Sequence, residues 1–207
     1  MNRHVTLYYA PQSRALGALA LLEELGADYT LQILNLKTGQ QRQPAYLAIN
    51  PMGKVPAIVH DGALVTEQPA IYQYLAELYP EAQLSPAPGT SLRGPYLRWL
   101  AFYGSSFEPA LLDKALQRAP GAPSTVPYGD YDTTIKVLTD QLEHGSYLLG
   151  DTITAADLLW GVALAWTVAF KMVPDTPRIR AYIERIEARP SVQRARAREA
   201  EILATLN

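Results

Sequence analysis

Apolar and polar positions divide the chain into two unlike halves. His4 to Tyr9 is short, β-branched and aromatic, which predicts a strand, and Ala10-Pro11-Gln12-Ser13 breaks it. From Arg14 to Leu25 apolar residues fall on most sides (Leu16, Leu19, Leu21, Leu22, Leu25), so the helix predicted there is buried between two layers, with Gly26 closing it. Tyr29 to Leu34 reads as a second strand, and Gln41 to Ile49 as a short, poorer helix with Pro44 near its start. Asn50-Pro51-Met52-Gly53 is a turn by composition. Val55–Val59 and Ala63–Val65 are strands joined by His60-Asp61-Gly62, and an Asp-Gly pair between apolar runs signals a hairpin. Pro69 opens a helix that runs to Tyr79. The order β-α-β-α-β-β-α predicts an α/β half, its first two strands parallel and the hairpin antiparallel.

Pro80 to Gly89 is a linker by composition, and no strand pattern follows it. Helical patterns cover Ser91–Ala119, Tyr131–His144, Ala155–Met172, Thr176–Ala188 and Ser191–Leu206, with loops at Pro120–Gly129 and Val173–Asp175. The predicted organisation is an α/β domain over 1–80, a linker over 81–89 and an all-α domain over 90–207. Thr154-Ala155-Ala156-Asp157 has the form of a capping box, with Ile153 and Leu158 spaced as a hydrophobic staple. Its expected role is structural: it starts a buried helix.

Composition narrows the chemistry. The 207 residues are 48% apolar and 18% charged, a globular balance. Without cysteine there is no disulfide framework, Cys-based zinc or iron–sulfur site, or protein thiol nucleophile. His4, His60 and His144 are widely spaced, so no metal centre is expected. With 18 Lys plus Arg against 20 Asp plus Glu, the net charge of −2 argues against a nucleic-acid surface. No apolar run reaches the ~18 residues of a membrane helix, and the N-terminus runs into a strand without a secretory h-region, so a cytoplasmic protein is expected.

The segment Asn50-Pro51-Met52-Gly53-Lys54-Val55-Pro56-Ala57-Ile58-Val59, followed by Thr66-Glu67-Gln68-Pro69-Ala70-Ile71-Tyr72-Gln73-Tyr74-Leu75, resembles the glutathione transferase superfamily. The likeness extends over the whole chain, through Leu22-Glu23-Glu24-Leu25-Gly26 and Ile153-Thr154-Ala155-Ala156-Asp157. Glu67 to Pro86, with Trp99-Leu100 beyond, looks most like bacterial beta-type members. The resemblance implies a thioredoxin-like first domain, a helical second domain and usually a homodimer. It also implies glutathione as co-substrate, with no separate cofactor and no metal.

Residue by residue, the resemblance implies a cis Val55-Pro56 bond that turns the Val55 backbone outward, where an extended peptide can pair as an added strand. The reading from the residues alone is an ordinary proline opening an edge strand. Glu67 and Gln68 precede the helix opened by Pro69, whose free N–H groups favour an anion, here the γ-glutamyl carboxylate, while Glu67 attracts the ligand's ammonium. The alternative is N-terminal capping with no ligand. Gln68 stands where the family often has serine or glycine, and its amide can still donate to a carboxylate. Lys54 faces the glycyl carboxylate or covers the strand edge, the alternative being a plain solvated charge. Gln12 and Arg14 line the mouth of the site.

The group that activates the sulfur stays open. Arg14 falls at the place of the beta-type cysteine, and Glu108 at that of its downstream histidine. Ser13, at the first helix's N-terminus, resembles members that use a serine, and Tyr8 falls where tyrosine-type members have theirs. Lowering a thiol pKa from ~8.5 by two units takes about 2.7 kcal/mol. A hydrogen bond to a charged acceptor supplies roughly 1.5–3 kcal/mol and a helix N-terminus ~0.3–1 more. One hydroxyl at a helix start is therefore enough: Ser13 satisfies both terms and Tyr8 the first, and a backbone or Arg14-assisted site is the remaining alternative. Tyr103, Phe107 and Trp166 are aromatic candidates for an electrophile pocket, although aromatics at helical spacing are usually core. The leading expectation is conjugation of the glutathione thiolate to a small apolar electrophile. The alternatives are glutathione-dependent disulfide or peroxide reduction or isomerisation, and a non-catalytic binding module.

Overall fold

In the computed structural model, which describes residues 2–119, 121–122 and 124–206, the first strand is β1, Val5–Tyr9. Burial alternates along it: Val5, Leu7 and Tyr9 are buried, while Thr6 and Tyr8 are half-buried on the other face. β2 (Tyr29–Ile33) runs parallel to β1, with Val5 opposite Tyr29. β3 (Ala57–His60) is antiparallel to β1, and β4 (Ala63–Val65) antiparallel to β3, giving one sheet of order β2-β1-β3-β4. The hairpin expected at Asp61-Gly62 is present, both residues at positive φ (47° and 78°) as a type I′ turn requires.

Helix α1 (Ala15–Leu25) ends at Gly26 and is buried on almost every side. The pattern called for two covering layers, and β1 supplies one. The other is the last helix, α9 (Pro190–Leu206), which packs along α1. Just before and at the start of α9, Arg189 and Ser191 donate to the Glu24 carboxylate, and Arg194 reaches Glu23 at 2.6 Å. Burial alone would raise the Glu24 carboxyl, but the bonds from Arg189 and Ser191 and the charges of Arg189 and Arg194 hold it below its usual range. The chain thus falls into two compact units, Met1–Gln83 with Ala188–Asn207, and Leu84–Glu187. The division expected from sequence, 1–80 and 90–207, differs in placing the last helix with the other late helices.

Between β2 and β3 the expected single helix is a short 3₁₀ turn (Gln40–Arg42) and a four-residue helix α2 (Pro44–Leu47). Tyr46 of α2 packs against the Tyr8 ring. α3 (Gln68–Leu78) follows β4 and packs against α1.

In the second unit, the run expected as one helix over Ser91–Ala119 is three pieces. They are α4 (Arg93–Phe102), a π-helical turn (Tyr103–Phe107) and α5 (Glu108–Ala115), which carries Pro109 in its first turn. The three pieces run on without a gap, and Pro109 withholds an N–H from the carbonyls of the turn before it, where the π geometry lies. α6 (Tyr131–Leu142), α7 (Ala155–Ala169) and α8 (Pro177–Glu187) complete the unit. Pro120 and Pro123 of the expected loop lie outside the described residues. Thr154 and Asp157 form the capping box at α7. The Asp157 carboxylate also accepts from the Leu148 N–H at 2.7 Å and the Tyr182 hydroxyl at 2.9 Å. Among the described residues no helix is long and apolar enough to cross a membrane.

Candidate active site

The site is built in the first unit, where the loop after β1 meets the loop before β3. The Asn50-to-Lys54 loop is tightly held: the Asn50 side chain accepts the Met52 N–H at 3.1 Å and donates to the Lys54 carbonyl at 2.9 Å. Tyr46 donates to the same carbonyl at 2.6 Å. Gly53 takes φ +59°, and a Cβ there would stand 2.6 Å from the Gln41 carbonyl oxygen, so only glycine fits. The Val55-Pro56 peptide bond that follows is cis.

Opposite, the Ser13 hydroxyl donates to the Ala10 carbonyl at 2.7 Å and accepts the Ala15 N–H at 3.1 Å. A cleft of about 290 Å³ opens between the two loops, lined by Gln12, Ser13, Arg14, Lys54 and Val55, with Gln41 and Arg42 contributed by the 3₁₀ turn. Arg14, Arg42 and Lys54 make its lining cationic. The Oε1 of Gln41 is buried with no hydrogen-bond partner among the described residues. Next to it lies an apolar pocket of about 150 Å³ lined by Pro11, Leu34, Leu36, Leu203 and Leu206, with Gln12 and Leu36 common to both.

Of the residues singled out in the sequence, Gln12, Ser13, Lys54 and Val55 come together around this cleft. Pro56 follows through the cis bond. Gln68 reaches the site's edge, its amide donating to the Arg14 carbonyl at 3.3 Å. Glu67 precedes it at φ 64°, ψ 119°, a conformation that a non-glycine residue keeps only when its surroundings hold it. Tyr8 does not line the cleft: its ring lies 5.4 Å from that of Tyr46, against α2.

Two of the expected electrophile contacts need correction. Tyr103 and Phe107 are 2% and 0% exposed and pack on Trp160 inside the second unit, so they are core. Helical spacing of aromatics marks a buried face as readily as a pocket. Trp166 is half-buried, edge-on to Phe170.

The family models described as "Glutathione S-transferase, N-terminal domain" and "Glutathione S-transferase, C-terminal domain" match residues 3–77 and 130–198. A glutathione transferase structure from Methylococcus capsulatus is 34% identical, covers 95% of this chain and 98% of its own, and superimposes with a TM-score of 0.79. The chain belongs to the glutathione transferase superfamily. Within it, the disulfide-bond oxidoreductase YfcG of Escherichia coli K12 is 31% identical over 92% of this chain and 94% of its own. A sphingomonad glutathione S-transferase solved with glutathione is 29% identical over 94% of this chain and 98% of its own, with a TM-score of 0.78.

Family motifs led to Val55, Pro56, Glu67 and Gln68, but three residues at the cleft or bonded to its lining carried no such signal. Arg42 and Gln41 enter through a 3₁₀ turn that the sequence pattern absorbs into a helix. Glu199, on α9, accepts from the backbone N–H of Gln12 at 2.8 Å, a contact between residues 187 positions apart.

Proposed function

We propose that the chain is an enzyme that binds glutathione in this cleft, holds its sulfur as the thiolate and transfers it to small apolar electrophiles. One observation carries the reading: the cis Val55-Pro56 loop and three cations, Arg14, Arg42 and Lys54, border a single cleft of tripeptide scale. Glutathione brings two carboxylates and one ammonium. The glycyl carboxylate goes to Lys54 and Arg42, the cysteinyl backbone pairs with Val55, and the γ-glutamyl end goes to Glu67, Gln68 and the start of α3.

In this reading the sulfur lies at the β1–α1 loop, where the Ser13 hydroxyl exchanges the Ala10 carbonyl for the thiolate. The thiol proton leaves to solvent. The thiolate attacks an electrophilic carbon, a C–S bond forms, and the leaving group departs with its electron pair. The neighbouring apolar pocket of about 150 Å³ suits one aromatic ring, since a protein cavity of about that size lined by aliphatic side chains takes up benzene. The homodimer and the cytoplasmic setting implied by the family belong to the same proposal, and sedimentation velocity tests the first.

Steady-state conjugation of glutathione to chlorodinitrobenzene tests the activity: saturable turnover in both substrates is expected, and absence of both binding and turnover overturns it. The likeness to a disulfide-bond oxidoreductase favours one second reading, glutathione-dependent disulfide reduction. That chemistry needs no protein cysteine if two glutathiones supply both thiols and leave as their disulfide. Faster reduction of a mixed disulfide than conjugation of any aromatic halide would decide for it.

A further inference from the structure

Glu199 stands on α9, far from the cleft in sequence, yet one of its carboxylate oxygens takes two hydrogen bonds there. The Tyr9 hydroxyl donates to it at 2.9 Å and the Gln12 backbone N–H at 2.8 Å. Tyr9 is 0% exposed. Burial first, then the charge and hydrogen bond of Glu199, push its phenol well above the usual range, so it remains a protonated donor at working pH. Gln12 holds φ +55°, a left-handed conformation that a residue with a Cβ rarely adopts unless something fixes it. Its neighbour Ser13 is tied back to Ala10, so residues 10–13 form one short turn whose geometry depends on Gln12. Gln12 and Ser13 both line the cleft.

We propose that Glu199 is a positioning residue: by gripping the Gln12 N–H beside the buried Tyr9 hydroxyl, it holds the β1–α1 turn in the conformation that presents Gln12 and Ser13 to glutathione. The inference rests on the glutathione reading above and adds to it a part for the last helix. A charge-assisted bond to a backbone N–H is strong enough to keep a strained residue in place. Without the acceptor, Gln12 relaxes to negative φ and Ser13 moves with it. The geometry needs an acceptor oxygen and the charge strengthens it, so glutamine at 199 keeps most of the grip.

The test compares Glu199→Ala, Glu199→Gln and Tyr9→Phe by calorimetric titration with glutathione, alongside hydrogen exchange at the Gln12 amide without ligand. Glu199→Ala is expected to weaken glutathione binding about tenfold and to speed Gln12 exchange, the loss expected for a hydrogen bond to a charged group. Glu199→Gln should bind within about twofold of wild type, because its Oε1 accepts both bonds. Tyr9→Phe leaves the Gln12 bond in place, so it should lower the melting temperature while binding stays within about twofold. If Glu199→Ala does not fold, Glu199→Asp replaces it, since its shorter side chain withdraws the acceptor. Unchanged Gln12 exchange and unchanged affinity in the Ala or Asp variant overturn the proposal. So does a Tyr9→Phe loss of affinity as large as theirs, which would make Glu199 simply part of the packing. A wild-type chain that binds no glutathione fails before any variant is compared and overturns the functional reading, while Gln12 exchange still reads the grip itself.

Discussion

Ser13 and Ala10 close the turn after β1: the Ser13 hydroxyl donates to the Ala10 carbonyl at 2.7 Å, while its oxygen accepts the Ala15 N–H at 3.1 Å. The bond from Ala15 fixes the oxygen at the helix start, and the hydroxyl hydrogen remains able to rotate towards a charged acceptor. A thiolate is a stronger acceptor than a carbonyl, so the exchange is favourable once glutathione is seated.

Ser13→Ala should therefore lower kcat/KM for conjugation about tenfold to a hundredfold, corresponding to roughly 1.5–3 kcal/mol of hydrogen bonding to a charged sulfur. The acidic limb of the pH–rate profile should move to higher pH, because the thiol loses the group that favours its ionised form. Tyr8→Phe should leave kcat/KM within about threefold, since the Tyr8 ring packs on Tyr46 and not in the cleft. Steady-state kinetics over a pH series measures both. A larger loss from Tyr8→Phe than from Ser13→Ala would exchange their roles.

Lys54 and Arg42 border the cleft near the position given to the glycyl carboxylate. Each is solvent-accessible, so each replacement by alanine should raise the KM for glutathione by about threefold to tenfold, with little change in kcat. The effect should shrink as salt is added, because screening weakens exposed charge pairs first. Initial rates at two ionic strengths check it.

Much of this site was legible because its parts are local. Asn50 through Pro56 and Glu67 through Pro69 are contiguous runs whose turn residues and prolines announce themselves, and the cis bond at Val55-Pro56 followed from the family likeness. The capping box at Thr154 and Asp157 was equally readable from four residues. What escaped is long-range. That α9 covers α1 depends on Glu24 meeting Arg189 and Ser191 across the chain, and the grip of Glu199 on Gln12 has no sequence signature at all. The break at Tyr103–Phe107 was missed because a single π turn keeps the chain helical and demands no breaker residue within it. Tyr103 and Phe107, candidates for a pocket as aromatics on a helix, are core, as their helical spacing favoured.

Glu24 gives the docking of α9 a defined acid limit. Its carboxyl is held below the usual range by Arg189 and Ser191 against the opposing effect of burial. A depressed folded pKa stabilises fully above the unfolded value, about 4.3, and that stabilisation is lost as pH falls through the lower folded value. Wild-type melting temperature should fall on acidification through this window. Glu24→Gln should lose about 1–2 kcal/mol at neutral pH, after allowance for partial solvent screening. Its acid limb should be flatter. Thermal melts from neutral pH to about pH 3 would show both effects.

Asp157 is 0% exposed and accepts from the Leu148 and Thr154 N–H groups and the Thr154 and Tyr182 hydroxyls. Asp157→Ala removes the buried carboxylate that takes these four bonds, leaving Tyr182 only its longer bond to the Asp157 carbonyl at 3.4 Å, and should destabilise by about 2–4 kcal/mol. Glutathione affinity of the folded fraction should be unchanged, because these groups lie in the second unit. Denaturant unfolding paired with calorimetric titration separates the two quantities. An affinity loss without a stability loss would contradict the structural role.

Further packing is tested at Gly161. A Cβ there would collide with the Ile186 side chain, where α7 and α8 cross. Gly161→Ala should destabilise the chain by about 1–3 kcal/mol through overpacking, and should cost less in an Ile186→Ala background, which removes both γ carbons that the Cβ would meet. Urea midpoints of the single and double variants give the coupling.

The central claim, that this cleft binds glutathione and favours its thiolate through Ser13, is tested most directly by titrating the ultraviolet absorbance of the enzyme-bound thiolate against pH. The expected result is a bound-thiol pKa one to two units below the free value of about 8.5 in the wild type, returning towards that value in Ser13→Ala. A bound-thiol pKa equal to that of free glutathione, or the same depressed value in both proteins, would contradict it.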